Sequence, residues 1–216
     1  DALLSRWREL WQVHALDHVE LPWRSSMPGL AKWVARLPRA EIQALSMNPV
    51  RLERTLGAFT EHFDHLVDIP NCTRHGLDFD ALRPSIGRMV KDRKWNQISA
   101  FTDCVADVES PVLEWCSGKG HLGRLVSAVT GAQITCVERD GILCERGRAL
   151  AEKWPDRLSF HELDVLDPVV TRFLTSNVHV IALHACGRLH EHLIAAATKG
   201  SCRRISLAPC CYHSIP

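Results

Sequence analysis

The sequence predicts an α/β fold, a parallel sheet with helices on both faces spanning 84–216, preceded by a helical region over 1–83. Three observations predict it. After Pro111, short apolar runs alternate with amphipathic stretches in the order VLEWC, GRLVSAVTG, ITCVE, ILCERGRALAEKW, LSFHELD, VHVIALH, HEHLIAAATKG and RISLAP, the texture of parallel strands separated by crossover helices. A glycine-rich turn follows the first of these strands and opens a helix. Before Arg83, by contrast, apolar residues keep mostly helical spacing.

In the helical region, Leu3, Leu4, Trp7, Leu10 and Trp11 follow the i, i+3, i+4, i+7 pattern of one buried face. That helix should end before Pro22. Pro38 opens a second, RAEIQALSM, and Asn48-Pro49 reads as a cap and first position of a third, with Leu52, Leu56 and Phe59 on one side. A turn-rich stretch from Pro70 to Pro84 is expected to join this bundle to the next domain. From Ser85 to about Val108 one further helix is expected, since Ile86, Met89, Val90, Ile98, Phe101 and Val105 recur at helical intervals. Its first half is basic: Arg83, Arg88, Lys91, Arg93 and Lys94 face a single acid, Asp92. Such a run either attracts a phosphate chain or is simply a solvated face.

Bulk composition excludes little. The chain has 216 residues, 46% hydrophobic and 24% charged, with a formal net charge of +1, so any nucleic-acid partner must be recognised by a local patch. No apolar run approaches the roughly 20 residues of a membrane span, and a soluble cytoplasmic protein is expected. The nine cysteines are odd in number and scattered, so no disulfide framework is expected. Cys104, Cys136 and Cys144 fall in apolar stretches and read as buried thiols.

The turn Ser117-Gly118-Lys119-Gly120-His121-Leu122-Gly123 contains G-x-G-x-x-G in the context that gives it meaning, between a strand and a helix. Backbone must turn sharply there and approach a ligand closely. Three acids bear on the ligand. Glu114, four residues before Gly118, would suit a cation and repel a pyrophosphate. Glu138, twenty residues after Gly118 at the end of the second strand, can accept two ribose hydroxyls of either ligand class and so does not choose between them. Asp164 follows the third strand, with Val165 beside it.

The pattern E-x-C-x-G-x-G over Glu114–Gly120 resembles the E/D-x-G-x-G-x-G signature of class I methyltransferases, with Cys116 in place of the first glycine. That resemblance implies a Rossmann-like methyltransferase sheet and S-adenosyl-L-methionine as cofactor. It assigns cofactor contacts to Glu114, Trp115, Cys116, Gly118, Gly120, Glu138, Arg139, Asp164, Val165 and His184, with Asp164 toward the adenine amino group.

Two later strands end in unusual chemistry: VIALHACG places His184 and Cys186 after the fourth, and RISLAPCCYH places Cys210, Cys211 and His213 after the fifth. Neighbouring parallel strands would deliver these side chains to one rim. Together, C-x-G-K-G-x-L, L-H-A-C-G and A-P-C-C-Y-H resemble the methyltransferase-domain family that includes the methyltransferase-like 25 proteins and the glutathione-transferase-C-terminal-domain-containing proteins. A related tRNA ribose 2′-O-methyltransferase family also carries paired cysteines. Because that fold continues past the fifth strand, the resemblance implies a sheet truncated at its C-terminal side.

The cluster admits several chemistries. His184 can serve as a base, Cys186 or Cys210 as a nucleophile, the three cysteines and two histidines as a zinc site, or the thiols as plain packing. The catalytic assignment is His184, Cys186, Cys210, Cys211 and His213, lining the acceptor side, with no metal assigned. The expected function is methyl transfer to an unidentified acceptor, with RNA approaching over Arg83, Arg88, Lys91, Arg93 and Lys94. Two other classes stay open: an NAD(P)-dependent oxidoreductase, from the literal glycine motif, and a non-catalytic module that keeps the cofactor fold.

Overall fold

The computed structural model describes residues 5–13, 17–60, 72–88, 90–109, 111–153 and 156–211. It divides into two compact units, Asp1–Asn71 and Cys72–Pro216.

The first unit is helical: α1 (Arg8–Trp11), α2 (Trp23–Ser26), α3 (Pro28–Val34), α4 (Arg39–Ser46) and α5 (Pro49–Gly57). Pro38 precedes α4 as expected, and the Asn48 side chain accepts the Arg51 N–H at 3.0 Å, satisfying one orphan donor at the start of α5. Leu30 and Leu45 are buried, and the Trp33 and Phe59 rings meet at 5.3 Å. Leu3 and Leu4 lie outside the described residues.

The second unit is the α/β domain. A π-helical turn, Arg83–Gly87, leads to α6 (Asp92–Cys104), followed by β1 (Val112–Trp115), α7 (His121–Thr130), β2 (Ile134–Glu138), α8 (Gly141–Ala151), β3 (Leu158–Glu162), β4 (His179–Leu183), α9 (Arg188–Lys199) and β5 (Arg204–Ala208). All five strands run parallel in the order β3-β2-β1-β4-β5. The order reverses beside β1, so the crevice for a ligand opens above the ends of β1, β2 and β4.

Strand alternation builds two cores. Val112, Ile134, Cys136, Phe160 and Ile181 face one side with Ile98, Leu122 and Leu125. Leu113, Trp115, Val137, Val180 and Ala182 face the other with Val170, Leu193 and Ala197. The central strands β1, β2 and β4 are therefore buried on both faces, which is why their sequences read as near-continuous apolar runs, whereas β3 and β5 at the edges keep exposed positions.

Three expectations are corrected. The units part before Cys72 rather than after Arg83, because Phe79 and Ile86 are buried in the sheet domain's core with Leu82 against it. The single helix expected over Ser85–Val108 is broken. Lys91 is extended (φ −61°, ψ 148°) and starts α6 afresh, and Arg83, ion-paired with Asp92, lies over the Trp95 ring at 5.9 Å. Cys104 is not a free buried thiol but is disulfide-bonded to Cys72. Among the described residues no helix is long and apolar enough to cross a membrane.

Candidate active site at the strand rim

The turn after β1 is wound through left-handed backbone: Cys116 has φ +55°, Gly118 +59° and Gly120 +64°. Ser117 N–H donates to the Val137 carbonyl at 3.0 Å and Gly120 N–H to the Ser117 carbonyl at 2.9 Å, closing the turn onto β2. The two glycines differ in what they permit. A Cβ on Gly120 would sit 2.7 Å from the Phe160 ring, whereas one on Gly118 would meet nothing within 4 Å. Gly120 therefore lets the turn pack down on the sheet, and Gly118 presents bare backbone to the open side.

Glu138 is the hinge of the site. Its Oε2 accepts the Gly118 N–H at 2.8 Å and its Oε1 accepts the Asp140 N–H at 3.0 Å. Each oxygen keeps a lone pair for a further donor. Beside it, Cys116, Arg139, Asp164, Val165 and Leu189 complete a cleft of about 160 Å³. Arg139 pairs loosely with Asp164 at 3.7 Å, and the other Asp164 oxygen accepts the Leu166 N–H at 2.9 Å. Burial, with Glu138 and Asp164 nearby, pushes the Cys116 thiol up to about 12, so it stays protonated. Leu189, the first turn of α9, is a lining residue that sequence reasoning missed. Its only signal was an apolar position just after the Gly187 turn.

Other expected contacts fall elsewhere. Glu114 is 4% exposed and points to the α7 side of the sheet, where its Oε2 accepts the Gly123 N–H at 3.0 Å and touches the Cys136 thiol. It braces the start of α7 rather than facing the cleft. Trp115, one residue on, faces the opposite core at 0% exposure, its indole N–H directed at the Leu189 carbonyl at 3.3 Å. Gly120 lies beneath the turn. His184 (φ +66°) turns toward α6, its Nε2 3.1 Å from Gln97 Oε1, and borders a larger, separate cavity of about 520 Å³ between α6 and β5.

Burial raises the Glu114 carboxyl from 4.5 to about 7, against the Gly123 and Cys136 hydrogen bonds that favour its charge. A carboxyl raised on folding contributes stability that is full below the unfolded value and lost as pH climbs through the folded one. Stability is therefore expected to decline between about pH 4.5 and 7, and Glu114→Gln, which keeps an acceptor for Gly123, to flatten that decline. Urea unfolding of both proteins across this range checks it. An unchanged slope in the variant removes Glu114 as the cause.

At the ends of β4 and β5 the Leu183–Ala208 register and the His184 N–H to Ala208 carbonyl bond (3.0 Å) align the two chains. Cys186 and Cys210 thereby meet, Sγ to Sγ 3.2 Å, and Cys211 lies 3.3 Å from Cys210. His184 is lowered by burial and then by Lys94 and Arg93, so its imidazole is neutral near pH 7. His213 lies outside the described residues.

A family model described as a methyltransferase domain matches residues 93–216. The chain belongs to that methyltransferase-domain family. No curated protein matches this chain. Solved structures to which the chain is similar include precorrin-6y C5,15-methyltransferase from Geobacter metallireducens GS-15, 14% identical over 59% of this chain and 72% of that one, TM-score 0.45. Others are the 23S rRNA methyltransferase ErmE (19% identical, 54% and 46% covered, TM-score 0.40) and the N-terminal domain of EvdMO1 with SAH bound (17%, 62% and 58%, 0.42). The chain spans 46%, 42% and 46% of the first three solved chains it matches.

The residues of the methyltransferase domain's cleft fit S-adenosyl-L-methionine, the cofactor that the sequence resemblance implies, by their own chemistry. Glu138 and Asp164 offer acceptors for hydroxyl and amino donors, Val165 and Leu189 an apolar wall, and Gly118 a stretch of backbone without a side chain.

Proposed function

We propose that this domain transfers the methyl group of S-adenosyl-L-methionine to an RNA acceptor presented at the ends of β4 and β5. One observation carries the choice of cofactor over a dinucleotide. The Gly118 and Gly123 amides, which a pyrophosphate at this helix start would require, already donate to the carboxyls of Glu138 and Glu114. A phosphate would find those donors spent and the Glu138 carboxylate beside it. A cationic nucleoside finds acceptors.

The bound cofactor supplies an electrophilic methyl group, and the protein need only orient the partners and exclude water. Glu138 holds the ribose hydroxyls through its free lone pairs, with Gly118 and Asp140 fixing its rotamer. Asp164 accepts from the adenine amino group, and Val165 and Leu189 cover the ring. His184, neutral and with Nε2 engaged to Gln97 as a donor, leaves Nδ1 to take a proton from the acceptor. Cys186, Cys210 and Cys211 line the acceptor side, and His213 belongs to the same proposed set. The motif trio C-x-G-K-G-x-L, L-H-A-C-G and A-P-C-C-Y-H supports a closer kinship with the methyltransferase-like 25 group.

RNA is favoured by charge. Arg88, Lys91, Arg93 and Lys94 are exposed at and before the start of α6, and Arg93 and Lys94 act electrostatically on His184. The patch therefore borders the rim where the acceptor enters. Arg83 contributes less, being paired with Asp92. Labelled S-adenosyl-L-methionine offered with fractionated RNA, protein and small molecules tests this, and label only outside the RNA fraction defeats the acceptor class. Arg88→Ala with Arg93→Ala is expected to raise the KM for RNA several-fold and to reduce its salt dependence by about two phosphate contacts, leaving S-adenosylhomocysteine affinity unchanged.

The non-catalytic reading rests on Cys116 in the first glycine's position and on the absence of an N-P-P-Y or D-P-P-Y motif after the fourth strand, where the sequence reads L-H-A-C-G. The left-handed φ of +55° at Cys116 shows the turn formed despite the Cβ, so the substitution by itself gives no reason for lost activity.

A further inference from the structure

We propose that Cys186, Cys210 and Cys211 form a metal site for a thiophilic divalent cation, zinc(II) by preference, at the ends of β4 and β5. Their three sulfurs all lie within 4.8 Å of one another, the closest contacts being 3.2 and 3.3 Å. Among the described residues this is the one group of three or more metal-ligating side chains so arranged. The proposal stands whether or not the methyl-transfer reading does, because it uses none of the cofactor cleft.

Packing does not account for the trio. Cys210 is exposed and its two partners are half-exposed, so little apolar area leaves water, and S–H groups are weak mutual donors. A single disulfide does not account for it either, since Cys210 contacts both neighbours and one thiol would be left idle. A shared cation uses all three. Zn–S bonds of about 2.3 Å place tetrahedral sulfurs about 3.8 Å apart, so seating the ion asks only for small rotamer adjustments.

The surroundings of Cys186 also suit a negative sulfur. The Cys210 N–H lies 3.3 Å from Cys186 Sγ, and α9 begins two residues after Cys186, so its positive N-terminal end is close by along the chain. Three thiols give up their protons to solvent as the cation binds, leaving a net charge of −1 on the site. Cys210 also lines the 520 Å³ cavity, so the fourth position opens to water or to a donor atom of a bound molecule. Three protein ligands with an exchangeable fourth is the layout of a reactive rather than a closed structural zinc site.

The test is a cobalt(II) titration of the reduced full chain, read by thiolate-to-cobalt charge-transfer absorption. The expected result is saturation at one equivalent, reversal by zinc, loss of the band in Cys186→Ser and in Cys211→Ser, and retention in Cys202→Ser. No band in the wild type, or an undiminished band in both cluster variants, overturns the proposal. Should either variant fail to fold, zinc shielding of wild-type thiols from a thiol reagent decides: three protected thiols support the site, and none refutes it.

Discussion

Glu138→Ala is expected to weaken S-adenosylhomocysteine binding by about a hundredfold or more. The substitution removes the proposed acceptor for two ribose hydroxyls, and hydrogen bonds to a charged group contribute about 1.5–3 kcal/mol each, while tenfold in affinity corresponds to about 1.4 kcal/mol. It also strands the Gly118 and Asp140 amides that Glu138 now satisfies at 2.8 and 3.0 Å, loosening the turn itself. Glu138→Gln keeps the acceptor for Gly118 but loses the charge and one acceptor atom, so an intermediate loss is expected. Calorimetric titration of the three proteins checks the order, with NADH as the competing probe. An alanine variant within about threefold of wild type would remove Glu138 from the site, and tight NADH binding with none of S-adenosylhomocysteine would favour the oxidoreductase reading.

Gly120→Ala should destabilise the α/β domain by roughly 2–5 kcal/mol. The backbone sits at φ +64°, where an L-residue costs about 1–2 kcal/mol. Its Cβ would lie 2.7 Å from Phe160 Cζ and 3.3 Å from Cys136 Sγ, and overpacking a filled core costs about 1–3 kcal/mol more. Phe160 cannot swing aside cheaply, because it is buried in the core beneath the turn. The pair Gly120→Ala with Phe160→Leu should therefore cost less than the sum of the single changes. Gly118→Ala, at φ +59° with open space around its Cβ, should show the backbone cost alone. Chemical unfolding of all four variants separates strain from clash, and equal destabilisation at 118 and 120 would refute the distinction between the two glycines.

These two residues show how the cleft is formed. Gly120 lets the turn lie close on β2 and β3, and Glu138 at the end of β2 then reaches the Gly118 amide. Packing below the turn and hydrogen bonding above it are thus coupled. Loss of either is expected to lower cofactor affinity, by disorder in one case and by missing acceptors in the other.

The strands, the helices between them, the glycine turn and the acids at the ends of β2 and β3 were legible in the amino-acid order alone, since each depends on local period or local turn chemistry. That is why Glu138, Arg139, Asp164, Val165 and Cys116 were found and do share one cleft. Glu114 was expected to face the ligand, but alternation along β1 sends it to the α7 side and Trp115 to the other, and which face opens on the cleft depends on what covers each. Leu189, the turn of His184 toward Gln97, the break before α6 and the Cys72–Cys104 bond share that character. Each rests on a partner distant in sequence, so only the folded chain decided it. The meeting of Cys186 with Cys210 stood between the two cases, implied by the motifs but conditional on β4 and β5 being neighbours, a matter of sheet order that local sequence does not encode.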